Sequence, residues 1–180
     1  MVGAVSAPVV FIYGADDYSV QNRAKARFES WRADLGEDVE LEEVDGGAQA
    51  AQEALRSLGQ VREALATLPF FGGEKLVWWK GVSFFDDRNR AATKEVMDGL
   101  TDWVAELESF SWQGVRLLIS AGKVDKRRGF FKKLKALAES EAFDGWSIND
   151  RDWRDRAEAF FRTELERLGV RIGAEALSVA

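Results

Sequence analysis

The chain has 180 residues, of which 46% are hydrophobic and 31% charged, a balance that fits a folded domain rather than a disordered chain. It contains neither cysteine nor histidine, which excludes disulfides, thiolate metal sites, thiol catalysis, a Ser-His-Asp triad and an HExxH zinc site. The net charge is −6, yet Lys123 to Lys135 holds seven basic residues and one acidic residue, a local net of +6.

The apolar run Val9-Val10-Phe11-Ile12-Tyr13, ending at Gly14, predicts a strand buried on both faces, as in a parallel sheet. Val20, Ala24, Phe28, Trp31 and Leu35 recur at helical spacing before Gly36. Val39 to Asp45 alternates apolar and acidic residues and reads as a less buried strand near an edge. Ala51, Ala54, Leu55, Leu58, Val61, Leu65 and Leu68 form a second helical stripe. Leu76-Val77-Trp78-Trp79 is another doubly buried strand, followed by the helical stripe Val96, Met97, Leu100, Trp103, Val104 and Leu107.

Val115 to Ser120 is a further apolar strand. The stretch 126–135 reads as a basic helix whose apolar face is Phe130, Phe131, Leu134 and Leu137, and a short strand is expected around Ala142 to Trp146. Asn149-Asp150 reads as a helix cap, followed by an amphipathic helix through Trp153, Ala157, Phe160, Phe161, Leu165 and Leu168. A further helix begins near Ala174. Alternating strands and helices predict an α/β fold, a parallel sheet flanked by helices on both faces. No apolar run is long enough for a spanning helix, and residues 1–12 lack a charged leader, so a cytoplasmic protein with no membrane association is expected.

The first strand leads into Gly14-Ala15-Asp16-Asp17-Tyr18-Ser19-Val20-Gln21, where a nucleotide-binding α/β domain carries its phosphate loop. A working loop would need Gly, Lys and Ser or Thr at positions 19 to 21, where the chain has Ser19, Val20 and Gln21. The phosphate-gripping lysine is missing, and Asp16 and Asp17 add negative charge. Two readings follow: a turn with a helix cap, or a degenerate nucleotide site. The strand Leu76 to Trp79 runs into Lys80-Gly81 instead of a magnesium-holding acidic pair, and Asp86-Asp87 reads as a loop and helix cap. No cofactor, metal site or catalytic residue is expected.

Leu68-Pro69-Phe70-Phe71-Gly72-Gly73 places two phenylalanines in a loop that Pro69 opens and the glycine pair closes. Either both rings fold into the core or they anchor in a partner's pocket. The basic residues Lys126, Arg127, Arg128, Lys132, Lys133 and Lys135 are either a solvated face or a contact for an acidic partner or a nucleic-acid backbone.

Val10-Phe11-Ile12-Tyr13-Gly14-x-Asp16-x-Tyr18, then Leu68 to Val77, then Lys123-x-Asp125-Lys126-Arg127 with Lys132-Lys133-Leu134, resemble in order and spacing the delta subunit of the bacterial DNA polymerase III clamp loader. The resemblance implies a AAA+-type α/β domain over residues 1–147 without a working nucleotide site. It also implies the start of a small helical lid domain over 148–180. The collar domain of the family has no counterpart, so a fragment that does not assemble into the loader ring is expected.

The implied role is non-catalytic: binding the sliding clamp (the beta subunit) and helping to hold it open during DNA replication. The protein would work within the polymerase holoenzyme without an active site of its own. Phe70 and Phe71 match the family's clamp-entering pair. Other loader subunits, and DNA in the assembled loader, are the further partners implied. A nucleotide-dependent ATPase of the same fold and a nucleic-acid-binding module using residues 126–135 are the rival readings.

Overall fold

The structure is a computed structural model that describes residues 7–67, 73–145, 151–167 and 169. The chain divides into two compact units, Met1–Asp144 and Gly145–Ala180. In the first, strands β1 (Val9–Tyr13), β2 (Glu40–Asp45), β3 (Lys75–Val82), β4 (Val115–Ala121) and β5 (Glu139–Ala142) alternate with helices α1 (Asp17–Leu35), α2 (Ala51–Ala66), α3 (Lys94–Glu108) and α4 (Gly129–Leu137).

The strands form one parallel sheet in the order β2-β3-β4-β1-β5. β1 lies between β4 and β5, with Val9 opposite Leu117 and Tyr13 opposite Ala121, and all five of its residues are buried. The chain leaves β1 for the far edge and returns one strand at a time through β3 and β4, then passes beyond β1 to β5. Crossovers of one hand then require α1 to lie on the opposite face from α2, α3 and α4.

The packing follows that rule. Val20, Ala24, Phe28 and Trp31 of α1 cover Val10, Ile12, Leu76, Trp78 and Leu118. α2, α3 and α4 cover the alternate residues, among them Phe11, Tyr13, Val77, Trp79, Leu117 and Ile119. The period-2 alternation of each strand thus feeds two cores. In the larger one, the Trp79 ring meets Phe84, Phe85 and Trp103 at centroid distances of 5.7, 5.6 and 5.0 Å. The Trp79 indole N–H donates to Ser57 Oγ at 2.8 Å, and that hydroxyl donates to the Asp45 carbonyl at 2.6 Å. A buried indole keeps its polar edge satisfied in this way.

Several elements differ from the sequence reading. The last strand of the sheet begins at Glu139 and ends at Ala142, earlier than expected, because it pairs with β1 from Val10 opposite Glu139. Asp86-Asp87 does not cap a helix: Asp86 accepts from Arg88 within a turn, and Thr93 caps α3 by accepting from the Val96 N–H. Phe84 and Phe85, outside every periodic stripe, are fully buried.

The second unit contributes α5 (Trp153–Arg167), which carries the i,i+4 ion pair Arg162–Glu158 at 2.8 Å, while its Arg156 pairs at 3.3 Å with Asp152 just before the helix. The cap expected at Asn149-Asp150 and the helix expected near Ala174 lie outside the described residues.

Candidate functional site

Three regions singled out by the sequence can be located on the first unit: the turn after β1, the basic stretch before and within α4, and the two ends of the Pro/Gly segment. At the first, Gly14 adopts a φ of +154°, and a Cβ there would lie 1.9 Å from the Phe143 carbonyl oxygen. Only glycine lets the chain past the backbone that follows β5. The Gly14 N–H is shared between the carbonyls of Ala121 and Gly122, both at 3.2 Å, and the Asp16 N–H donates to the Phe143 carbonyl at 3.0 Å.

Asp16 caps α1: its carboxylate accepts from the Ser19 N–H at 3.1 Å and from the Ser19 hydroxyl at 2.6 Å. A phosphate bound here would need those same helix-terminal donors. Val20 is buried against the sheet and Gln21 is exposed. Beside this turn, a cleft of about 830 Å³ opens at the C-terminal ends of the strands, the usual ligand position in open α/β sheets. Its charged lining comprises Asp17, Glu43 and Asp45 against Lys25 and Lys80, and Lys80 is paired with Glu43 at 3.3 Å.

The basic stretch is not one helix. Lys126, Arg127 and Arg128 precede α4, which starts at Gly129, whereas Lys132, Lys133 and Lys135 lie on it. The reason is Asp125. Its side chain accepts from the Arg127 N–H at 3.1 Å and its carbonyl from the Arg128 N–H at 3.1 Å, closing a turn that competes with helix.

Much of the local positive charge is answered by acids, of which Asp144, Asp87 and Glu108 are distant in sequence and Asp125 is local. Lys126 pairs with Asp144 at 2.6 Å, Arg127 with Asp87 at 2.7 Å and Asp125 at 2.8 Å, Arg128 with Asp125 at 3.2 Å, and Lys133 with Glu108 at 3.9 Å. The Arg127 guanidinium holds the Asp125 carboxyl down at about 2, below its ordinary 3.8 and against the opposing effect of desolvation. Lys123, Lys132 and Lys135 are exposed and form no ion pair among the described residues.

Phe70 and Phe71 lie outside the described residues, but both flanks of their segment are defined. On one side Thr67 closes α2, its N–H donating to the Glu63 carbonyl at 3.0 Å. On the other, β3 opens with Lys75, whose side chain is fully buried. Lys75 Nζ lies 2.7 Å from Thr67 Oγ1, 3.1 Å from Glu40 Oε1 and 2.8 Å from Glu42 Oε2. The apolar run that marks this strand in the sequence starts at Leu76, so Lys75 carries no signal of its own there. The signal that could have found it is the pair Glu40 and Glu42, two residues apart and so on one face of β2.

None of the curated proteins matches the sequence. Among solved structures the chain is similar to the Bacillus subtilis DNA clamp loader delta protein (YqeN), with a TM-score of 0.52 and 18% identity. The match covers 96% of this chain and 47% of that one, so the chain spans about half the length of that protein. The likeness is one of fold, and it agrees with the parallel five-stranded sheet. The model of the family described as DNA polymerase III, delta subunit, matches residues 11–142, from within β1 to the end of β5, and the chain belongs to that family.

Proposed function

We propose that this chain is the clamp-binding part of a clamp-loader delta subunit and acts in DNA replication by binding the sliding clamp, without hydrolysing nucleotide. The observation that carries the reading is the family match over residues 11–142, which includes the segment holding Phe70 and Phe71. Those two side chains enter an apolar pocket on the clamp and help hold the ring open. The Asp16 carboxylate on the Ser19 N–H supports the non-hydrolysing half of the reading, because it occupies a donor that a triphosphate would need. The first unit takes the place of the AAA+-like domain, and the second, with α5, that of the start of the lid. Other loader subunits are further partners of the whole protein.

Titrating the chain onto immobilised cognate clamp tests this directly. Saturable binding that Phe71→Ala removes is the expected result. Equal binding by parent and variant, or no binding by the parent, would overturn the assignment.

A further inference from the structure

We propose that the outer edge of β2 is a docking site for an extended basic segment of a partner protein, which joins the sheet as an added strand.

The sheet ends at β2, which pairs with β3 alone. At the two ends of that ladder the Glu40 N–H donates to the Glu74 carbonyl at 2.9 Å and the Gly46 N–H to the Lys80 carbonyl at 2.7 Å. Between them the register is unbroken, from Glu40 opposite Lys75 to Asp45 opposite Lys80. The period of two therefore turns the backbone groups of Glu40, Glu42, Val44 and Gly46 towards β3, and those of Leu41, Glu43 and Asp45 outwards. The Asp45 carbonyl is taken by the Ser57 hydroxyl at 2.6 Å. The N–H and C=O of Leu41 and Glu43, and the N–H of Asp45, have no partner among the described residues.

Such an edge is usually blunted by proline, lysine or a bulge, and β2 has none of these. The opposite edge is shorter: β5 has four residues, and its Glu139 and Glu141 are held by Arg23 and Arg27 of α1. On β2, Leu41 lies opposite Leu76 and Glu43 opposite Trp78, on the face that α1 covers. Leu41 is 38% exposed, and a groove of about 540 Å³ opens beside it, lined also by Glu29, Arg32, Ala33, Gly36 and Val39. An added strand would bond to the backbone of Leu41 and Glu43 and send alternate side chains into that groove.

Charge selects the occupant. Residues 29–45 hold eight acids and one base, Arg32, a local net of −7 in a chain of net −6. Lys75 answers Glu40 and Glu42, Lys80 answers Glu43, and Arg32 lies 4.0 Å from Glu29. Asp34, Glu37, Asp38 and Asp45 have no cation partner among the described residues. A second copy of β2 on this edge would set these acids against their own kind, which destabilises strand pairs. A segment with lysine or arginine at alternate positions meets both the acids and the open backbone.

The probe is the peptide acetyl-Lys-Val-Lys-Val-Lys-Val-Lys-amide, titrated to millimolar concentration onto the full chain at low salt. Amide exchange at Leu41 and Glu43 is expected to slow about tenfold, with Val10 and Ile119 unchanged. A Glu-Val peptide of the same length, and the basic peptide N-methylated at every residue, should give no slowing. Leu41→Pro removes an N–H that faces away from β3, a place where a sheet tolerates proline, and should weaken binding about tenfold. Glu37→Lys with Asp38→Lys leaves the edge backbone untouched and should weaken binding by a similar factor of about ten.

Unchanged exchange at Leu41 and Glu43 with the basic peptide would overturn the proposal, and so would equal slowing by the acidic one. Slowing that rises with protein concentration alone would give the edge to a second copy and overturn the basic occupant. Parent-like binding by folded Leu41→Pro would show that the peptide does not pair with the edge. If that variant fails to fold, the charge reversal decides, and parent-like binding by Glu37→Lys with Asp38→Lys would overturn the assignment.

Discussion

The Asp16 carboxylate grips Ser19 twice, through the backbone N–H at 3.1 Å and through the hydroxyl at 2.6 Å. A negative charge built into the chain thereby sits at the start of α1, on the end of the helix that attracts anions. In a nucleotide-binding relative of this fold, that position would welcome a phosphate. Here the internal carboxylate caps the helix terminus.

The first prediction concerns nucleotide. Millimolar Mg-ATP should leave the melting temperature unchanged, whereas a ligand at 100 times its dissociation constant would add about 2.7 kcal/mol. Differential scanning fluorimetry with and without Mg-ATP decides this. Asp16→Ala should lower stability by about 1 kcal/mol through loss of the cap, without creating ATP binding.

The second concerns Phe70 and Phe71. As anchors in a clamp pocket, each should weaken binding by about 30- to 1000-fold when cut to alanine, the range of a 2–4 kcal/mol hot spot. Melting temperatures should stay close to the parent. Core residues would behave oppositely, costing about 3–5 kcal/mol of folding stability. Thermal melts and clamp titrations on the same preparations separate the two outcomes.

The third concerns the Trp79–Ser57 bond. Ser57→Ala leaves a buried indole N–H without its acceptor and the Asp45 carbonyl without its donor. The expected loss is about 1–3 kcal/mol in urea unfolding. An unchanged midpoint would mean that water replaces the hydroxyl.

The fourth concerns pH. The Asp125 carboxyl is held at about 2 by Arg127, below its ordinary 3.8. A lowered folded-state value means that the unfolded chain takes up the proton first. The stability this group contributes is therefore fully present above pH 4 and fades as pH falls towards 2. Asp125→Asn should be less stable than the parent at pH 6, and the gap should narrow in acid. Equal stability of the two at pH 6 would show that the Arg127 and Arg128 contacts contribute nothing.

The fifth concerns nucleic acid. The ion pairs leave Lys123, Lys132 and Lys135 as the residues of the basic stretch without an acid partner among those described. Any DNA binding by this chain should be weak, with a log–log salt slope no steeper than about −3. Lys132→Glu with Lys135→Glu should remove most of it. A steeper slope would show that the paired arginines release their acids to reach phosphate.

The alternation of apolar strands with helical stripes was enough to read a parallel α/β sheet, because burial on both faces leaves an unbroken apolar run such as Val9 to Tyr13. The family resemblance was likewise legible from motifs in order along the chain. Strand order was not, since it depends on pairings between residues about 100 positions apart, such as Val9 with Leu117. The charge at residues 123–135 was counted correctly from the sequence but its environment was not, because Asp87, Glu108 and Asp144 reach it only through folding. Lys75 is the sharpest case. In the sequence it is one more surface-type lysine beside a strand. Only when β2 lies alongside β3 and α2 ends above them do Glu40, Glu42 and Thr67 converge on its ammonium, and only that convergence makes its burial tolerable.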